Sequence, residues 1–561
     1  MRIKHFFGLA VLAAMTASCS SNNELVNGGN GSGEVENGTA YASFKINLPT
    51  TSSTRADDPK QGTPSFEQGT AAEYEVKNGT ILIFDATTDK FVTSAELGTM
   101  NPWTDVKADG VTTAAIATVK LSDVSVTGNY NALVLLNNNT TDATTKKVKL
   151  PSTADTYATW SEDASKANAT NYVSTDGIFM ANAPMYSATS EPTTLVKIKN
   201  VCASPEEAQA KAATVVYVER GLAKVTMQNF ADDGYDIADG TYEGGKVEIK
   251  NWQLDVTNMS TFPVHQTGTL KDSWAEIWNT PRFYDQTSTA FKRVYWGVDP
   301  NYNNSDYQTL ANCKTAFNMI TKDKVVGEAG NAHPQYCLEN TFDLNNMKQG
   351  QTTRVVFKAV FTPKDFTTGQ TFYKIGNNTA IWDATKLAQQ IKTVALTAMG
   401  ITDAAEQAKY SVDLSKGTDI SGKAGQHLVK AENITFTGEG TSKVTEPIVN
   451  AINDKLGLSA ETGISTYLNG EAYYIARIKH FNELTPWEAG QAYDSNNAAF
   501  LGRYGVLRNN WYELSVNKVS GLGYPDVPEV KPTVPDDENS QYINVSVKIL
   551  DWAKRSQSID L

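Results

Sequence analysis

The sequence predicts an all-β fold with a few short helices, arranged as Greek-key β-sandwiches, and three observations carry this. Gly, Thr, Asn, Ser and Val are abundant, which favours strands and turns over long helices. Apolar residues alternate with polar ones in many short runs. Turn-forming residues separate these runs at close spacing, and no repeat of solenoid or propeller period is present. At 561 residues the chain is too long for one ordinary core, so two or more domains are expected.

The first residues read as a targeting segment. Arg2 and Lys4 form a positive region, and Phe6 to Met15 an apolar one. Thr16-Ala17-Ser18-Cys19 then has the form of a bacterial lipobox, in which the cysteine is acylated and becomes the new N-terminus. An ordinary signal peptide with an incidental cysteine is the other reading. Residues 20–40 are a Gly/Asn/Ser tether. No other run approaches the ~20 apolar residues of a membrane span, so the expected membrane contact is through the lipid alone.

A first strand follows. Ala42, Phe44, Ile46 and Leu48 point one way, and Ser43, Lys45 and Asn47 the other. Pro49 ends it, and "TTSSTRADDPKQGTPS" is an exposed loop containing Arg55. Buried strands are expected at 79–85 and 131–139, and "GIFMANAPM" (177–185) is another apolar segment. Ser204-Pro205-Glu206-Glu207 starts a helix running to about Val215. A long strand over 215–229 holds the expected domain boundary. Further strands fall at 245–259, 352–363, 472–481 and 508–523, interrupted by helices at 384–400 and 445–459. The Pro/Asp segment "YPDVPEVKPTVPDDENS" (524–540) is expected to be an extended linker unable to pair. Alternation resumes in "QYINVSVKILDW": Ile543, Val545, Val547 and Ile549 share one face. Leu550 and Trp552 fall out of phase, which predicts a bulge or twist near Ile549.

Chemistry is scarce. The net charge of −13 argues against nucleic-acid binding. The five histidines are too far apart for HExxH, and no CxxC is present, so neither metal nor cofactor nor catalytic residues are expected. "GGNGSG" (28–33) lacks the strand and helix of a phosphate loop. Trp252, Trp274, Trp278 and Trp296 are expected in cores rather than stacked on sugars. Cys202, Cys313 and Cys337 are an odd set; a Cys313–Cys337 bridge and buried free thiols are both open.

"SFKINL" and "NVSVKI" share a pattern: alternate apolar residues, a lysine on the wet face, no internal Gly or Pro. One precedes a cleavable loop and the other follows a proline linker. If the first is an edge strand, its removal bares backbone groups and an apolar trough. A neighbour's strand can restore both by strand addition. While residues 42–48 fill the trough, no partner can enter.

In order and spacing, "NALVLLNN", "FMANAPM", "VERGLAKV", "VVFKAVFTPKDF", "GEAYYIARI", "GRYGVLRNNWYELSVNKVSGLG" and the terminal "INVSVKILDW…IDL" resemble the Bacteroidales fimbrillins, the subunits of type V pili, and among them the stalk subunits of short fimbriae. The resemblance touches most of the chain from about Phe44 to Leu561. It implies two tandem transthyretin-like Greek-key β-sandwich domains plus a C-terminal donor strand. It also implies export as an outer-membrane lipoprotein acylated on Cys19 and cleavage by an arginine-specific protease between Arg55 and Ala56. The implied organisation is a signal peptide (1–19), a propeptide (20–55), an N-terminal domain (56–220), a C-terminal domain (221–525), and a linker with donor strand (526–561). Ala42, Phe44, Ile46 and Leu48 belong to the displaced strand; Ile543, Val545, Val547, Ile549 and Trp552 belong to the donated one. Loss of residues 1–55 takes four basic and three acidic residues, moving the formal charge from −13 to −14. The implied partners are identical subunits head to tail, with accessory anchor and tip subunits, and the implied place is a cell-surface fimbria supporting adhesion. A surface glycan-binding lipoprotein and a tip or anchor subunit are the alternatives. "SSNNE" after Cys19 lacks the acidic run that many surface lipoproteins of this phylum carry.

Overall fold

The computed structural model describes residues 38–49, 69–98, 104–108, 111–140, 145–173, 176–279, 283–284, 292–480, 500–536, 543–551 and 553–554. Cys19, Arg55, Ala56 and Trp552 lie outside them.

Alternation becomes strand from the first described residues. The N-terminal strands are β1 (Thr39–Pro49), β2 (Gly79–Asp85), β3 (Phe91–Glu96), β4 (Thr104–Ala108), β5 (Val111–Ser122), β6 (Tyr130–Leu136), β7 (Met180–Asn182), β8 (Val196–Lys197) and β9 (Thr214–Arg220). They form one sheet in the order β3-β2-β6-β7-β9-β1-β5-β4, with β8 also on β6. Phe44 and Ile46 share a buried cluster with Ile81, Ile83, Val134 and Leu136. The sheet therefore folds over itself, with β1 and β5 facing β2 and β6. The opposite faces of β2 and β6 carry Leu82, Phe84, Leu133 and Leu135 into a second cluster with Trp160 and Phe179. Burial on both faces is why these two strands read as continuous apolar runs rather than alternating ones.

The stretch "VVYVERGLAKVTMQN" is two strands, not one. β9 stops at Arg220, and β10 (Ala223–Met227) begins in a different sheet, parallel to the Trp511–Val519 strand. At Gly221, between them, a Cβ would come 2.9 Å from the Phe179 ring and 3.1 Å from Tyr172. Only a residue without a side chain lets the backbone turn that closely against two rings. The helix after Ser204 is also shorter than expected, spanning Pro205–Ala210, because Lys211 is already extended and leads into β9.

β10 lies in a five-stranded sheet, between the Gln335–Cys337 and Trp511–Val519 strands; Ile543–Asp551 and Ala553–Lys554 follow outward. Val225, Met227, Tyr512 and Leu514 pack against Trp252 and Phe357 of a four-stranded sheet built from Tyr235–Asp236, Lys246–Asp255, Arg354–Thr362 and Glu471–Arg477. The fold is thus mostly strands in several sheets, with few short helices.

One module was not foreseen as a unit. Between Thr362 and Glu471 the chain leaves the four-stranded sheet and builds a small five-stranded sheet with the helices Ala384–Met399 and Glu446–Leu456. Leu387, Ile391, Ala395 and Ile452 give it a core of its own. Asp383 caps the first helix by accepting from the Lys386 amide at 2.8 Å, and Gly400 ends it at φ 67°.

Candidate assembly site

β1 is an interior strand, and this corrects the edge position expected from sequence. It pairs antiparallel with β5 from Thr39 to Pro49 and parallel with β9 from Phe44 to Asn47. Its N-terminal end gains a further partner: Tyr41 and Cys202 exchange both backbone hydrogen bonds at 2.8 Å. Taking β1 out would open a slot with unpaired groups on both walls rather than bare an edge.

The two faces of β1 differ. Ala40, Ala42, Phe44, Ile46 and Leu48 are buried in the sandwich core. On the outer face the Ser43 hydroxyl lies 2.8 Å from the Thr118 hydroxyl and donates to the Ala208 carbonyl at 2.8 Å. Ala208 belongs to the Pro205–Ala210 helix, which lies over this part of the sheet. Lys45 is exposed, whereas Asn47 is buried and its carboxamide oxygen has no hydrogen-bond partner.

Downstream of residues 50–68 the chain is pinned at Glu73. Its carboxylate pairs with Lys224 at 2.6 Å and accepts from the Tyr336 hydroxyl at 2.5 Å and the Thr70 amide at 2.6 Å. Its carbonyl accepts from Arg220 Nε at 2.9 Å. Burial pushes the Glu73 pKa up, but the Lys224 and Tyr336 hydrogen bonds and the Lys224 charge outweigh it, leaving it below the usual carboxylate range. Lys224 also sits 3.7 Å above the Trp511 ring. Thus the segment carrying Arg55 and Ala56 is bounded on one side by β1 and on the other by a buried ionic knot reaching the C-terminal sheet.

The tail is tied down, where the sequence predicted a linker free to reach. Tyr524 exchanges backbone hydrogen bonds with Tyr473 at 2.8 Å each way. Arg354 donates to the Pro528 carbonyl at 2.8 Å, and Lys322 pairs with Asp526 at 2.8 Å. Gln349 N donates to the Val534 carbonyl at 2.9 Å, and the Thr352 hydroxyl donates to the buried Asp536 carboxylate at 2.7 Å. Prolines lack only the amide, and the carbonyls between them are what the body grips.

Beyond Asp536, the Ile543–Asp551 strand pairs antiparallel with Trp511–Val519 of the same chain, placing Ile549 opposite Tyr512, Val547 opposite Leu514 and Val545 opposite Val516. Its outer side meets only Ala553–Lys554, at Leu550 and Asp551, among the described residues. Of the two forms expected near Ile549, the bulge is not there: the register runs unbroken from Val545 to Leu550, and the irregularity lies in the partner strand between Val516 and Lys518.

The other candidates settle into cores. Trp252, Trp278 and Trp296 are fully buried, and Trp274 is half-buried. Cys202, Cys313 and Cys337 are three separate buried thiols. Among the described residues no cluster of His, Cys, Asp or Glu could hold a metal ion, and no helix is long and apolar enough to cross a membrane. Sequence reasoning missed the Glu73 knot and a second buried ionic cluster, in which His265 bonds Glu219 at 2.6 Å, beside Arg293, Arg508 and Glu339.

Residues 465–558 match the family model described as the major fimbrial subunit protein type IV, fimbrillin, C-terminal region. No curated protein matches the chain. Two solved structures from Parabacteroides distasonis match the chain at low identity. One, named provisionally for cell adhesion, is 10% identical with a TM-score of 0.37, over 93% of this chain and 99% of that one. The other, a fimbrial assembly protein, is 13% identical with a TM-score of 0.26, over 57% of this chain and 95% of that one.

Proposed function

We propose, from the match of residues 465–558 to the fimbrillin C-terminal family model, that the chain is a fimbrial stalk subunit that polymerises by protease-triggered strand exchange. The observation that carries this is the setting of β1: five apolar side chains buried between two partner strands, directly ahead of the segment containing Arg55. Cleavage between Arg55 and Ala56 detaches β1 covalently but leaves it seated, since burying five such side chains is worth roughly 10 kcal/mol gross. A competing strand must then replace it, and the tail strand of a second subunit has the required alternation. The Glu73 knot keeps the new N-terminal side in place while this happens.

In this reading the whole chain is a closed precursor. β1 fills its own slot and the Ile543–Asp551 strand occupies its own sheet edge, so neither is offered to a neighbour. The precursor is lipidated on Cys19, an arginine-specific protease releases it from the outer membrane, and identical subunits then join head to tail between accessory anchor and tip subunits. An anchor would keep residues 1–55, and a tip would need no tail. Support for adhesion follows from the fibre rather than from an enzymatic site.

The test is assembly on a gel. Protein lacking residues 1–55 should form ladders that resist SDS without boiling, and further deletion of 541–561 should leave monomers. Ladders that survive that deletion would remove the tail as donor. Arg55→Ala should trap the lipidated precursor, and fibres on cells carrying it would refute cleavage before assembly.

A further inference from the structure

We infer the register and direction in which the tail strand enters the slot of β1; this rests on the strand exchange proposed above. Set in the same direction, Ala42-Ser43-Phe44-Lys45-Ile46 and Val545-Ser546-Val547-Lys548-Ile549 coincide, with Ser, Lys and Ile identical in place. The donated strand thus runs as β1 does, antiparallel to β5 and parallel to β9, with Ser546 at the place of Ser43 and Lys548 at that of Lys45.

The slot's own walls favour this placement. Of the outward positions 41, 43, 45 and 47, only Lys45 is exposed; Ser43 and Asn47 are buried and Tyr41 is half-buried. A lysine in the middle of an incoming strand keeps its charge in water only at that one place. Ser546 then meets the same two partners that Ser43 has, the Thr118 hydroxyl and the Ala208 carbonyl. Ile543, Val545, Val547 and Ile549 take the core places of Ala40, Ala42, Phe44 and Ile46. The incoming set is larger at the places of Ala40 and Ala42 and smaller at that of Phe44, so apolar volume moves along the strand and rises overall, and the neighbouring side chains must shift to take it. At the next place Leu550 replaces Asn47, whose buried carboxamide oxygen is unpartnered, so the newcomer removes an unsatisfied polar group. The match ends there. Asp551 would fall on Leu48, a buried core place just ahead of the register break between Leu48 and Pro49, so the donated strand must leave the slot at that point to keep its carboxylate out of the core.

The reversed direction also puts the four apolar residues inward and keeps Ser546 at Ser43. It differs by placing Lys548 at half-buried Tyr41 and Asn544 at exposed Lys45. Native Cys202 separates the two cases. It pairs with Tyr41 as a doubly hydrogen-bonded antiparallel neighbour, a geometry with Cα atoms about 5.5 Å apart and within disulfide reach. Whichever tail residue sits at the place of Tyr41 lies opposite Cys202 of the next subunit.

The experiment is an oxidative cross-link in polymer assembled from protein lacking residues 1–55. Asn544→Cys should give covalent ladders that survive boiling, collapse with reductant and vanish when Cys202→Ser is added. Covalent ladders from Lys548→Cys instead would overturn the direction. Tail-dependent polymer that cross-links at neither position would overturn the register while leaving strand exchange intact; polymer indifferent to deletion of 541–561 would overturn both. Should Asn544→Cys fail to assemble, Ser546→Cys with Thr118→Cys tests the register, because Thr118 lies directly opposite Ser43. No cross-link in that assembled pair would overturn it.

Discussion

Lys224 Nζ lies 2.6 Å from the Glu73 carboxylate with both side chains almost wholly excluded from water. The pair joins the chain just after the Arg55 segment to β10, and through Trp511 to the sheet that holds the tail. Removing one partner of such a buried pair costs about 3–5 kcal/mol. Glu73→Ala should lower unfolding stability by about that much in a urea titration, while Glu73→Leu with Lys224→Met recovers most of it. A loss under about 1 kcal/mol for the single variant would mean the knot is not a structural clamp.

Phe44 fills the middle of the β1 face in the sandwich core. Truncation there costs about 3–5 kcal/mol, all of it borne by a strand that cleavage leaves held by non-covalent contacts alone. Phe44→Ala precursor, cut at Arg55, should shed residues 20–55 on gel filtration without any competing tail, whereas the cut wild type retains them. Retention by both would show that the core face does not govern release.

Thr352 and Asp536 close the strap formed by residues 524–536. Thr352→Val keeps the shape but removes the hydroxyl from a buried carboxylate, a cost of about 1–3 kcal/mol. Limited proteolysis should then cut within 524–536 sooner, with little change in the global melting temperature. Unchanged cutting would mean the backbone contacts alone hold the strap.

Asp299 is buried, and its carboxylate accepts from the Asn301 and Thr341 amides at 2.6 Å each. Burial raises its pKa to about 7, against the pull of those amides. A carboxyl with a folded pKa above its unfolded value of about 4 holds more protons folded than unfolded between the two. Its contribution to stability is therefore complete below pH 4 and fades as pH rises toward 7, by up to about 1.4 kcal/mol per unit. Stability measured between pH 5 and 7 should fall with this slope on top of the other titrations, and Asp299→Asn should flatten it. Identical pH profiles for the two proteins would exclude Asp299 as the source.

Much of the fold was legible because local signals agreed. Alternation at Ala42–Leu48 and the Ser204-Pro205 start each describe one element and its nearest neighbours, and both appear in the structure. What escaped depends on partners distant in sequence. Nothing within residues 42–48 says that both sides of the strand are paired; β9 supplies the second side from 214–217. Gly221 looked like one glycine in an apolar run until Phe179 and Tyr172 stood against it. The prolines of 524–536 promised a free arm, since the grip on them comes from Arg354, Gln349 and Thr352. The site was legible as two similar strands, and its register only once the exposure of Lys45 and the partners of Ser43 were known.

The strap also decides how a fibre built this way would bear load. Tension on a donated strand reaches its parent subunit at Asp536, and the bonds behind it run along the body to Tyr524. A pull there is shared along the row in shear instead of peeling bonds off one at a time. The slot, with ladders on both walls, would resist in the same manner, so that each joint carries load through rows of bonds rather than through single contacts.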